Sequence, residues 1–137
     1  KQEWFRNGLR HREGGPALIW NAIDGTTILE KYYKDDVLHR EDGPAIWDRN
    51  EITGIITKEA WSLNGKLHRE GKPAEIGRQP DNGVIDTEKW AINGKYHRLD
   101  GPAYIERDWN TGELFYQERW INGVKGEQKH TPPSPSI

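Results

Sequence analysis

Cysteine and methionine are both absent from this 137-residue chain. Without cysteine there is no disulfide, no thiolate nucleophile and no thiolate metal ligand. Long apolar runs are missing too. No segment approaches the ~20 apolar residues of a membrane-spanning helix, and no signal-peptide pattern is present. No helix cap leads into an apolar stripe of 3.6-residue period, so essentially no helix is expected. An excess of charge of either sign is lacking, with 20 basic against 22 acidic residues and a formal net charge of -2. That balance gives no basic field for long nucleic acid or a membrane surface. Neither a G-x-S-x-G elbow nor a phosphate-loop motif appears.

Aromatic residues, by contrast, are plentiful. Seven Trp and five Tyr sit in a chain only 33% hydrophobic and 31% charged. Few aliphatics and many large flat rings suit a thin structure, such as a single sheet, better than a deep core.

An internal repeat dominates the rest. HREGGPA (11–17), HREDGPA (39–45), HREGKPA (68–74) and HRLDGPA (97–103) align without gaps, with Pro16, Pro44, Pro73 and Pro102 spaced 28, 29 and 29 residues apart. Gly25, Gly54, Gly83 and Gly112 form a second register of 29. Turn pairs form a third: Asn7-Gly8, Asp35-Asp36, Asn64-Gly65, Asn93-Gly94 and Asn122-Gly123. Each 28–29-residue unit reads as an outgoing strand, a tight hairpin turn, a returning strand interrupted by the Gly-Pro element, and a polar loop. Four units with a partial fifth cover residues 1–127, and a flexible Pro/Ser tail is expected over 128–137. The expected fold is all-β: an elongated, twisted, single-layer antiparallel meander of tandem β-hairpins with about nine strands. One repeat cannot bury its apolar layer alone, so stacking should be cooperative.

The unit W-x-x-N-G-K-x-H-R-x-D-G-P-A, present almost verbatim from Trp90 to Ala103, resembles the HRxDGPA repeats of phages, large DNA viruses and bacteria. These are similar to MORN repeats, which build β-hairpins into a curved single-layer sheet and have relatives among antitoxins. The resemblance covers roughly residues 2–124. The period here is longer than that of MORN units, and Asp35-Asp36 replaces Asn-Gly in the second repeat. The resemblance implies a scaffold used in interactions, often at a host–parasite or host–virus interface, in the cytoplasm of a bacterium or an infected host.

The repeated pairs His11-Arg12, His39-Arg40, His68-Arg69 and His97-Arg98 are the obvious candidate chemistry. Equivalent residues of successive units lie two strands apart, roughly 9–10 Å, whereas two ligands of one zinc ion lie within about 4 Å of each other. No metal and no cofactor is expected. A structural ladder is the first reading, with each Arg paired to Glu30, Glu59 or Glu88. Anion or nucleotide binding by the same ladder is the alternative. Asp42 and Asp100 read as turn formers. An enzyme is not expected, because four equivalent copies do not make one asymmetric catalytic constellation.

Partner-binding candidates lie where the repeat breaks its own rule. Beside the Tyr32/Trp61/Trp90 column, and on the opposite face, run Phe5, Tyr33, Ser62, Ala91 and Trp120: aromatic outside, small inside. The candidates are therefore Phe5, Tyr33, Asp35, Asp36, Trp47 and Trp120, for another protein. The expected function is a non-enzymatic binding scaffold serving as an inhibitor, an antitoxin-like neutraliser or a host-interaction module. A spacer within a larger polypeptide is a further alternative, and homo-oligomerisation stays open.

Overall fold

The computed structural model describes residues 1–126; the tail expected over 128–137 lies outside the described residues. Among these there is no helix, and hence none long and apolar enough to cross a membrane. Nine strands form one open antiparallel meander. Its spatial order follows the chain: Gln2–Glu3, Leu18–Asn21, Thr27–Lys31, Ile46–Arg49, Ile56–Ala60, Glu75–Arg78, Ile85–Lys89, Tyr104–Arg107 and Leu114–Glu118. The all-β, single-sheet expectation holds, as does the count of nine for this sheet.

Five small hairpins of two-residue strands add to it, centred on the five turn pairs. Positive φ at Asn64 (50°) and Gly65 (77°), repeated at each Asn-Gly pair, is the type I′ geometry that joins two strands through two residues. Asp36 takes φ 64° without glycine's freedom; its carboxylate receives the Arg10 N–H at 2.7 Å, which offsets the cost.

The outgoing strand is not continuous into the hairpin, as the sequence pattern suggests, but bends at the Trp column. Trp61 donates its N–H to the Ala74 carbonyl and accepts the His68 N–H at its own carbonyl. One residue thus faces both ends of the segment His68–Ala74, so the motif segment is a large bulge thrown out of the returning strand. Trp4, Tyr32 and Trp90 repeat both bonds.

The core is as thin as the composition implies. Ala17, Ala45, Ala74 and Ala103 are fully buried, Leu18, Ala60, Ala91 and Ile105 nearly so, and no large side chain among the described residues is completely enclosed. Stability must therefore come from ties between neighbouring units rather than from a deep apolar centre.

Candidate functional site

The bulge is organised around the motif arginine. Arg69 lies 3.6 Å from the centroid of the Trp61 ring, and Arg12, Arg40 and Arg98 stack on Trp4, Tyr32 and Trp90 at 3.9, 4.0 and 3.7 Å. Each guanidinium also donates Nη1–H to the carbonyl of its own motif proline, at 3.1–3.2 Å. A Cβ built on Gly15, Gly43 or Gly101 would come within 2.7–3.1 Å of the guanidinium carbon, yet Lys72 holds the same position in the third unit, where Arg69 stacks as closely. Motif Arg and Pro are thereby explained by one contact set.

Asp42 and Asp100 are more than turn formers. Each accepts the Nε–H of its arginine, at 2.9 and 3.0 Å, and the hydrogen bond from Arg40 holds the Asp42 carboxyl below the usual carboxylate range. Where that aspartate is missing, Gly14 and Gly71 take positive φ instead (75° and 72°). The pairing expected between the motif arginines and Glu30, Glu59 and Glu88 is not found. The motif arginines are consumed within their own bulges. The glutamates bind the next returning strand: Trp47 Nε1 donates to Glu30 (2.9 Å), Arg78 to Glu59 (2.7 Å) and Arg107 to Glu88 (3.1 Å).

The motif histidines join one unit to the next. Nδ1 of His11, His39, His68 and His97 accepts the backbone N–H of Asp35, Asn64, Asn93 and Asn122, at 2.9–3.1 Å. Beside each such bond, the second turn residue donates its N–H back to the preceding hairpin: Asp36 to Arg10, Gly65 to Leu38, Gly94 to Leu67 and Gly123 to Tyr96. Each hairpin after the first is stapled to the one before it. Among the described residues no group of three or more His, Asp or Glu side chains is placed to hold a metal ion.

The rule-breaking residues do not converge. Phe5 is in the first hairpin and exposed; Tyr33, Asp35 and Asp36 belong to the second; Trp120 is in the fifth, at the opposite end of the order. Asp35 pairs with Arg6 at 3.1 Å, and Tyr33 lies under Arg10 (5.5 Å). Trp47 sits in the main sheet, with Arg49 5.2 Å from its ring. Trp120 packs edge-on against Tyr96 (5.5 Å) and donates to Glu118 (3.1 Å). A hollow of about 280 Å³ between the second and third hairpins includes Asp35 and His39.

A larger apolar surface gathers where the fourth unit meets the partial fifth. The edge strand Leu114–Glu118 pairs only with Tyr104–Arg107 among the described residues, and its Leu114, Phe115 and Tyr116 are exposed. Beside it opens a cleft of about 340 Å³, walled by Phe115 and Trp109 and lined by Asp86, Glu106 and Asp108. Phe115 is 77% and Trp109 64% exposed, which leaves both rings open to a partner. Backbone N–H bonds from Thr111 and Asn110 hold the Asp108 carboxyl below its ordinary range, so it stays anionic. The one basic residue of the cleft, Arg107, is already engaged by Glu88 and the Gly112 carbonyl.

Sequence reasoning missed this surface, although a signal existed. Three and four residues after the marker glycine the earlier units carry Ile28-Leu29, Thr57-Lys58 and Asp86-Thr87, and the last carries Phe115-Tyr116. No protein-family profile, curated protein or solved structure matches the chain.

Proposed function

We propose that this protein is a non-enzymatic repeat scaffold that recognises another protein where its fourth unit meets the partial fifth. The observation that carries the reading is the contrast in use of side chains. The motif residues are spent inside the fold, whereas Leu114, Phe115, Tyr116 and Trp109 form an exposed apolar surface on the strand that ends the sheet among the described residues. Such an edge is a ready template for an added strand, and exposed aromatics beside a cleft are the usual anchors of protein interfaces. The role of inhibitor, antitoxin-like neutraliser or host-interaction module belongs to the same proposal.

The nucleotide-binding alternative draws on the four His-Arg pairs. One Nη1–H of each motif arginine and every motif His Nδ1 already have protein partners, so an anion would compete with ties that hold the bulges and the repeats.

Affinity isolation from the native host, with mass spectrometry of bound proteins, tests the reading. A stoichiometric partner retained by wild type and by Arg6→Ala, but lost by Phe115→Ser with Trp109→Ser, is the expected result. A partner retained by the double variant sinks it. So does a stabilising shift with nucleotides that is lost on Arg40→Ala.

A further inference from the structure

The four bulges share one arginine arrangement but not one counter-ion. Each motif arginine stacks on its Trp or Tyr ring and donates Nη1–H to its own proline carbonyl. In the second and fourth bulges a carboxylate completes the set. Asp42 and Asp100 accept Nε–H from Arg40 and Arg98, at 2.9 and 3.0 Å. These two side chains are 88% and 83% exposed, so the place they occupy is reached directly from solvent.

In the first and third bulges Gly14 and Gly71 stand at that position and bring no carboxylate. Among the described residues no acid pairs with Arg12 or Arg69. A Cβ on either glycine would meet nothing within 4 Å. The chain thus displays an oxyanion on this guanidinium twice, and twice presents the same donor beside open space.

The third bulge is the more cationic of the two. Lys72 stands where the other three motifs have glycine, and it is exposed. Glu70, the one acid of this motif, pairs with neither cation among the described residues. Burial lowers the Arg69 guanidinium from its ordinary value, and Glu59 offsets this only in part. A desolvated cation without a close counter-charge gains from an anion. In the first bulge, by contrast, Glu13 lies 3.7 Å from both Arg6 and His11, and Gly15 adds no charge.

We propose that the third bulge binds a small oxyanion, a carboxylate or a phosphate, where the second and fourth bulges hold aspartate. One oxygen accepts Arg69 Nε–H and Lys72 supplies a second positive charge, while the Nη1–H bond to the Pro73 carbonyl stays in place. The site is separate from the surface at Phe115 and Trp109, so it stands or falls independently of the protein-binding reading.

The probes are inorganic phosphate and acetate, each titrated into the ¹⁵N-labelled full chain at constant ionic strength. Saturable shifts are expected at Arg69 Nε–H and the Gly71 amide, with Arg40 and Arg98 Nε–H unmoved. The tighter probe assigns the ligand as phosphorylated or carboxylic. Lys72→Gly, which copies the other motifs, should weaken binding about threefold. Gly71→Asp, which brings the aspartate of the neighbouring bulges, should weaken it by about tenfold or more. Asp42→Gly should do the reverse and open Arg40 Nε–H to the same probes, which keeps the proposal refutable even where Gly71→Asp fails to fold. No saturable shift at Arg69, equal shifts at all four arginines, or an Asp42→Gly chain that gains no binding would overturn it.

Discussion

The two edges of the sheet are built from equivalent positions of the repeat and treated in opposite ways. At one edge the strand is only Gln2–Glu3, and Glu3 is clasped by Lys1 (2.8 Å) and Arg10 (3.3 Å). Lys1 also lies 5.4 Å from the exposed Trp20 ring. A short, charged strand is a poor template for another chain. At the other edge the strand is five residues long, and its first three side chains are exposed Leu, Phe and Tyr. The repeat supplies the same backbone at both ends; side-chain choice decides which edge is closed and which is offered.

That comparison can be sharpened from the interior outward. Arg69→Ala removes a stacked cation, its hydrogen bond to the Pro73 carbonyl and its cover over Trp61. It should cost about 3 kcal/mol, read as a lower urea midpoint. Arg69→Lys should recover only part of this, because an ammonium lacks the planar fork. Arg12→Ala makes the same deletion beside the charged edge. It should fray the first unit while the interior strands keep their exchange protection.

Removal of one staple should matter less. His39→Ala leaves the Asn64 N–H without its acceptor and should cost about 1 kcal/mol. The Asn64 amide should exchange faster while that of Asn122 is unchanged.

Acid should loosen both edges. Lys1 holds the Glu3 carboxyl below its usual range, and Lys125, with Tyr116, does so for Glu118. Carboxylates with lowered native values contribute stability above their unfolded range near pH 4.3, lost as the pH falls through the native value. Melting of wild type and Glu118→Gln at pH 7 and pH 3 should show a gap that closes at the acid end. The smallest effect belongs to Phe115→Lys. On an exposed strand position it should change stability by less than about 0.5 kcal/mol, while the edge loses its capacity to pair.

The all-β meander, the units and the turns were legible because spacing alone reveals them: three registers agree on 28–29 residues, and Asn-Gly has one dominant hairpin use. The partners within a unit were not. Arg40 and Glu30 both recur at fixed spacing, which invites pairing them. The bulge instead folds Arg40 back onto Tyr32 and hands Glu30 to Trp47. The histidine ladder was legible as structural, but its bond to the next turn depends on how far one hairpin overlaps another. The open edge was hidden for a different reason. Phe115 and Tyr116 look like ordinary strand residues until the neighbour that would cover them is known to be lacking among the described residues.

The most direct test is amide hydrogen exchange of the full chain, alone and with the protein isolated from its host. Protection gained at Leu114–Glu118, with Gln2–Glu3 and the four His-Arg bulges unchanged, is the predicted result. Protection gained at the bulges or at Gln2–Glu3, with Leu114–Glu118 unaltered, would contradict the account.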